Sequence, residues 1–433
     1  MYRNVQWSIM APANSDLEMS SQIRLRLLPG VRCLFDEPIQ VKVAGLRPRQ
    51  VVSLRARAKD EGGLEFRSSA TYKADGSGFI HLDRDPSLGG SYVGVEPMGL
   101  LWSLKTNSLH RRFKLDSSLK PFVVKFSVHE GEGEGRMLAE ASNERFMIGE
   151  GVSRVPLKDG SFDGVLFTPP GKGPFPAVLD LSSYTFERRA SLLANKGFVV
   201  LALPVMTVKD QRVIEMHLDH FEEAVKFLLQ QPKVSSIGII SHSKTSDVAA
   251  SLATFVSGIE AVVMINSCCA NTILPLYYKG QHVLPGLMFD MEKMPVLESG
   301  AGVSKYVFNN PLAEENKSTL IPIERAKARF LFVAAEDDLS LDSKTYMDIL
   351  VERMKHHGKK NFECVSYPGA GHMLEPPYGA HYASSYHRAF NRLVLWGGEP
   401  RMHAAAEVHL WKKVQEFFRS HLSCGDLQTK PKL

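Results

Sequence analysis

The stretch Ile237-Gly238-Ile239-Ile240-Ser241-His242-Ser243-Lys244-Thr245, continued by Ser246-Asp247-Val248-Ala249-Ala250-Ser251-Leu252, decides how this chain reads. Its opening residues are a short apolar run, which predicts a buried strand over 237–241. From Lys244 onward the residues suit a helix, predicted over 244–255. Ser243 therefore falls at a sharp strand-to-helix turn, where a hydroxyl stands exposed above a sheet. The N–H of Lys244 is placed to help stabilise an oxyanion there, and the helix N-terminus favours developing negative charge. The usual pattern around such a serine is G-x-S-x-G. Here Ser241 and Thr245 occupy the glycine positions. Ser241 is small, but Thr245 is β-branched and is expected to crowd the start of the helix. A plainer reading makes Ser243 a helix N-cap.

Outward from this turn, apolar runs at 177–181, 198–203, 237–240, 261–265 and 330–334 alternate with helical segments at 218–229, 244–255 and 402–421. Such alternation predicts a doubly wound, mostly parallel α/β sheet, whose ligands bind outside the carboxyl ends of the strands. Upstream the texture differs. Residues 51–57 and 122–128 alternate as strands do, and turn signals at 60–63, 75–78, 87–90 and 130–135 separate the strands. This predicts an all-β, immunoglobulin-like sandwich. The acidic 130–135 run reads as a solvated hairpin loop. The expected division is a β-sandwich domain over 20–148, an α/β-hydrolase domain over 149–424 and a tail over 425–433.

Two further sites complete a pattern. The strand 329–334 runs into Ala335-Glu336-Asp337-Asp338, a carboxylate just past a late strand. The strand 362–367 runs into Pro368-Gly369-Ala370-Gly371-His372, a histidine in a glycine-rich loop after the last strand. Ser243, Asp338 and His372 follow the chain order Ser–Asp–His of α/β hydrolases. In that reading His372 takes the Ser243 proton, and Asp338 orients the imidazole and stabilises its cation. His217 and His220, three apart near Glu222 and Glu223, lack a third ligand and read as a solvated helix face rather than a metal site. His356-His357 before Gly358 reads as an ordinary helix end.

Composition sets the outer bounds. Across 433 residues, 44% are hydrophobic and 23% charged, which excludes a disordered, collagen-like or coiled-coil chain. The net charge of +5 is too weak for a nucleic-acid partner, though it suits a polyanionic small molecule. Five cysteines without CxxC spacing argue against a zinc site or a disulfide framework and favour a reducing compartment. No apolar run approaches the length of a membrane span, so no stable membrane insertion is expected. The final Pro431-Lys432-Leu433 shares two of three residues with the Ser-Lys-Leu peroxisomal address, so the expected location is peroxisome or cytoplasm. The chemistry calls for no metal and no other cofactor.

Longer stretches carry a resemblance. They include Asp36-Glu37-Pro38, Gly89-Gly90-Ser91-Tyr92, Glu96-Pro97-Met98-Gly99-Leu100-Leu101-Trp102, Phe175-Pro176-Ala177-Val178-Leu179-Asp180, Arg189-Ala190-Ser191-Leu192-Leu193-Ala194, Glu375-Pro376-Pro377-Tyr378 and Trp396-Gly397-Gly398-Glu399-Pro400. Over residues 22 to 424 the chain resembles the type I acyl-CoA thioesterases and the related bile acid-CoA:amino acid N-acyltransferase. The resemblance implies a β-sandwich followed by an α/β-hydrolase domain and a fatty or bile acyl-CoA as substrate. It puts the nucleophile on Ser243, the acid on Asp338 rather than Asp337, and the base on His372. The transferase branch carries cysteine in the nucleophile slot; serine here favours hydrolysis, with conjugation to glycine or taurine as the alternative. The family's glycine-rich run after the first strand of the hydrolase domain supplies a second oxyanion donor. Here that stretch is Leu181-Ser182-Ser183-Tyr184-Thr185-Phe186, without glycine, and Ser183 is the candidate donor. Loss of one such donor costs on the order of 10²–10³ in rate, so an acyl-CoA binder without turnover is a third reading.

Overall fold

A computed structural model describes residues 22–158, 162–183, 187–206, 215–388 and 390–422. Its larger sheet has eight strands: β1 (Ser153–Leu157), β2 (Gly164–Thr168), β3 (Phe175–Ser182), β4 (Val199–Pro204), β5 (Val234–His242), β6 (Ile259–Ile265), β7 (Arg329–Ala335) and β8 (Phe362–Tyr367). Their order is β1-β2-β4-β3-β5-β6-β7-β8. The first two strands pair antiparallel and the other six are parallel. Order reverses beside β3 and β5, which opens the crevice at their carboxyl ends where such sheets bind ligands. The continuous apolar runs follow from burial on both faces; every residue of β4 is buried.

The helices are α1 (Arg188–Asn195), α2 (Leu218–Leu229), α3 (Thr245–Phe255), α4 (Ser343–His356) and α5 (Pro400–His421). Helix α3 begins one residue later than expected, with Lys244 at its N-cap. Helix α5 begins two residues earlier, because Pro400 suits a first helical position and the Glu399 carboxylate accepts from the Arg401 and Met402 N–H groups. His217 sits at the cap of α2 rather than within it, bonded to Glu215 at 2.9 Å and stacked on Tyr277.

Glycine is required at Gly238 in β5. A Cβ there would lie 2.7 Å from the Phe418 ring of α5 and 3.1 Å from the Ala261 carbonyl. That close approach lets α5 pack on the centre of the sheet.

The preceding region forms two sheets, as expected for a sandwich. One joins Arg24–Leu28, Gln40–Ala44 and Ile80–His81. The other runs in the order Arg32–Leu34, Met137–Phe146, Phe122–Glu130, Val51–Lys59, Glu65–Lys73, Gly89–Gly90. The acidic 130–135 segment turns the hairpin between Phe122–Glu130 and Met137–Phe146. One buried helical turn, Gly99–Trp102, interrupts the strands. Of the two hydrophobic clusters among the described residues, one runs from this sandwich into the larger sheet and the other lies within the α/β region. At the junction the buried Asp36 carboxylate accepts from Trp411 Nε1 at 2.8 Å and lies 2.8 Å from Lys196 Nζ.

Candidate active site

Three strand ends set the site. Ser243 follows β5 with φ of +58°, a left-handed conformation that side chains other than glycine rarely adopt. Strain of that kind survives only where the surroundings over-determine it. The Ser243 N–H donates to the Ile265 carbonyl at 2.8 Å, and its carbonyl accepts from the Ser246 N–H at 3.0 Å. The positions where glycines were expected are occupied by bonded hydroxyls. Ser241 Oγ, fully buried, reaches the Val263 carbonyl and Ser246 Oγ, each at 3.0 Å. Thr245 Oγ1 lies 3.1 Å from the Leu181 carbonyl and 3.0 Å from the His242 carbonyl, and accepts from the His242 N–H at 3.1 Å. The expected crowding by Thr245 is thus resolved: its branch points at polar partners that a glycine would leave with one bond fewer.

Ser243 Oγ lies 2.9 Å from His372 Nε2, and His372 Nδ1 lies 2.7 Å from Asp338 Oδ2. The hydroxyl is therefore engaged by imidazole, and the N-cap reading is set aside: the capping position is Lys244, whose side chain makes no capping bond to the helix N–H groups. Asp338 is 1% exposed and fully engaged. Its Oδ1 accepts from the Ser340 and Leu341 N–H groups at 2.8 and 2.9 Å, and its Oδ2 also accepts from Ser343 Oγ at 2.5 Å. Asp337, the neighbouring candidate, turns away and accepts from the Gly398 N–H at 2.8 Å.

His372 is fixed as tightly along its main chain. Its N–H donates to the Trp396 carbonyl at 2.8 Å, and its carbonyl accepts from His242 Nε2 and Asn266 Nδ2, each at 2.7 Å. The Trp396 ring lies nearly parallel to the imidazole, 16° apart with centroids at 5.6 Å. Burial pushes His242 down to about 4, with the nearby His372 adding to the effect; burial does the same to His387. Both are therefore neutral at pH 7, and the Nε2 proton of His242 is the one donated to the carbonyl.

A cavity of about 410 Å³ opens onto Ser243 and His372. Phe35, Phe113 and Phe122 of the sandwich region form part of its wall, and Ile273 and Phe308 reach in from the segment between β6 and β7. Ion pairs stand in the wall, among them Arg188 with Glu375 at 2.8 Å, Arg189 with Asp180, and Arg112 with Asp116 at 3.2 Å. Lys244 lines the same cavity, with its ammonium 2.8 Å from the buried Asp247, whose carboxylate also accepts from the Thr272 N–H and hydroxyl. Burial raises Asp247 above the usual carboxylate range although Lys244 pulls it down. Ser183 lines the cavity as well, and its carbonyl accepts from the Met206 N–H at 3.1 Å. Tyr184, Thr185 and Phe186 lie outside the described residues, as do Cys424 and the Pro431-Lys432-Leu433 terminus.

Sequence reasoning missed His242, Asn266 and Trp396. A signal existed for Asn266, a polar residue directly after the apolar run 261–265 and so at the carboxyl end of a parallel strand. Trp396 stands in one of the stretches that carry the resemblance but without a role, because its ring meets His372 only through tertiary folding.

The doubly wound sheet, the strained serine at its carboxyl edge and the imidazole–carboxylate pair beside it define an α/β hydrolase of the serine type. Residues 36–159 match the family described as "Acyl-CoA thioester hydrolase/BAAT N-terminal region", and residues 216–424 match "BAAT / Acyl-CoA thioester hydrolase C terminal". The chain belongs to this acyl-CoA thioester hydrolase/BAAT family. It is 41% identical over 408 residues to acyl-coenzyme A thioesterase 6 of Homo sapiens, covering 92% of this chain and 97% of the relative. It is 38% identical over 402 residues to acyl-coenzyme A amino acid N-acyltransferase 1 of Mus musculus, covering 90% and 95%. It is 38% identical over 408 residues to the peroxisomal succinyl-coenzyme A thioesterase of Mus musculus, covering 92% and 96%.

Proposed function

We propose that this protein is an acyl-CoA thioesterase that hydrolyses its substrate through a serine acyl-enzyme, with Ser243 as nucleophile, His372 as base and Asp338 as the carboxylate that orients it. The observation that carries this reading is the unbroken line from Ser243 Oγ to His372 Nε2 (2.9 Å) and from His372 Nδ1 to Asp338 Oδ2 (2.7 Å). In the first half-reaction His372 takes the hydroxyl proton as Ser243 Oγ bonds to the thioester carbonyl carbon. The C–S bond breaks, His372 returns the proton to sulfur, and CoA leaves as thiol. In the second half-reaction His372 takes a proton from water, hydroxide attacks the ester, and Ser243 recovers its proton as the free acid departs. The Lys244 N–H, first in the turn after Ser243, and the main chain at Ser183 are the donors we assign to the oxyanion. No step draws on a metal or redox cofactor.

The assembled triad supports turnover over simple binding. Serine as nucleophile supports water over an amine as acceptor, since an oxygen ester hydrolyses readily whereas a thioester is better suited to capture by an amine. We place the functional division between a sandwich domain, 20–148, and a hydrolase domain, 149–424, with both lining the substrate cavity, and assign the enzyme to peroxisome or cytoplasm. No described helix is long and apolar enough to cross a membrane. The test is thiol release from palmitoyl-CoA with and without taurine. Hydrolysis predicts free palmitate and thiol at a rate that taurine leaves unchanged, and loss of at least about 10³-fold in Ser243→Ala. A taurine conjugate as main product, or full activity in Ser243→Ala, contradicts the reading.

A further inference from the structure

We propose that His242 and Asn266 are positioning residues that aim the base through its own carbonyl oxygen, tying His372 to the strand of the nucleophile and to the strand of the acid. The proposal rests on the hydrolytic reading of the same site.

The His372 carbonyl oxygen accepts from the Leu374 N–H of its own loop at 3.0 Å and, at the shorter distance of 2.7 Å each, from two side chains of other strands, His242 Nε2 and Asn266 Nδ2. The two donors are not arbitrary neighbours. His242 ends β5 and directly precedes Ser243, with its ring centroid 4.8 Å from that of His372. Asn266 directly follows β6 in a left-handed conformation, φ +48°, and is fully buried. Its Oδ1 accepts from the Ala335 N–H at 2.7 Å, and its own N–H donates to the Val333 carbonyl at 2.9 Å. Ala335 closes β7, three residues before Asp338. One side-chain amide therefore joins the acid's strand to the base's main chain, and one imidazole joins the nucleophile's strand to the same atom.

The geometry gives this a chemical consequence. His372 sits in a loop, so its ring direction follows the main chain that carries it. An error of about 1 Å in placing a reacting group can cost on the order of 10²-fold. With the carbonyl held from two sides and the N–H held by Trp396, the ring cannot swing without breaking bonds to both neighbouring strands. A polar core contact with no part in catalysis would alter stability alone; this clamp must alter turnover.

The test is kcat and KM for thiol release from palmitoyl-CoA by the full chain, its His242→Leu, His242→Gln and Asn266→Asp variants and the His242→Leu/Asn266→Asp pair. Thermal midpoints are measured alongside, together with acyl-CoA affinity in a Ser243→Ala background. Asn266→Asp keeps the acceptor for Ala335 and loses the donor to His372. His242→Leu and Asn266→Asp each lower kcat about tenfold with KM within about twofold, and the pair loses more than the product of the two, because each donor covers for the other. His242→Gln, which keeps an N–H donor, recovers to within about threefold of the parent. If Asn266→Asp does not fold, the Leu-against-Gln comparison at His242 decides alone. Parent-like kcat in His242→Leu, or equal impairment of Gln and Leu, overturns the clamp. A parent with no Ser243-dependent thiol release overturns the hydrolytic reading itself, and the two failures are thereby distinguished.

Discussion

Ser243 holds a conformation that its residue type disfavours, and the hydroxyls on either side of it make this possible. Ser241 and Thr245 stand where glycine gives room, yet each turns its oxygen into a partner across the elbow. Thr245→Ala removes the donor shared by the Leu181 and His242 carbonyls and the acceptor for the His242 N–H, so it should cost about 1–2 kcal/mol. Urea unfolding at constant m-value measures this. Asp338→Asn is the sharper change. An amide facing the Nδ1–H of His372 imposes the wrong tautomer, and by analogy with other triads kcat should fall by roughly 10³–10⁴. Steady-state thiol release reads that loss, while far-UV circular dichroism reports whether the fold is kept. The sequence marks Ser241 and Thr245 as departures from a motif. It does not show their compensation, because the partners, Val263 and Leu181, lie on other strands.

Strands β3 to β7 are legible at the element scale, since burial on both faces writes each one as a largely apolar run, whereas the edge strand β8, Phe-Glu-Cys-Val-Ser-Tyr, is only partly buried and mixes polar with apolar residues. The 362–367 and 218–229 segments fall where they were expected. Helix ends are read less well, because Lys244 and Glu399 take capping positions through local geometry. The segment between β6 and β7 carries no pattern that predicts its structure. It is built of short strands and single 3-10 turns without a period to detect, yet it brings Ile273 and Phe308 to the cavity. The packing of α5 on β5 gives an element-scale prediction. Gly238→Ala drives a methyl into the Phe418 ring and should destabilise by about 1–3 kcal/mol. Phe418→Leu opens that space and destabilises in its own right. Combined, the two should cost less than their sum, measured by a double-mutant cycle in denaturant.

The molecule as a whole depends on contacts between segments far apart in sequence, and these the sequence reading could not supply. Asp36 illustrates this: a motif residue without an evident role, it receives Trp411 and Lys196 from the other side of the domain junction. The histidines behave collectively. His242, His381 and His387 are each pushed down to about 4 by burial, with the neighbouring imidazoles of His372 and His403 adding to the effect. Unfolded histidine titrates near 6.5, so between about pH 6.5 and 4 the unfolded chain binds protons that the folded chain refuses. Stability from these groups is complete above that window and is lost as pH falls through it, by roughly 2 kcal/mol per histidine between pH 7 and 5. His403, raised by its bond to Glu407, acts above the window rather than within it. The raised buried carboxyl of Asp247 works in the opposite sense, so the test is the difference between variants: the denaturation midpoint of His387→Phe should fall less between pH 7 and pH 5 than that of the parent, and an identical pH dependence would contradict a neutral buried His387. The central claim, that a serine at the sheet's carboxyl edge takes up the acyl group, is tested most directly by acid-quenching the protein within its first turnovers of palmitoyl-CoA and mapping the covalent acyl mass by peptide mass spectrometry. The account predicts a palmitoyl ester on Ser243 that is absent from Ser243→Ala; steady thiol release with no acyl-protein species, or with the acyl group on another residue, would contradict it.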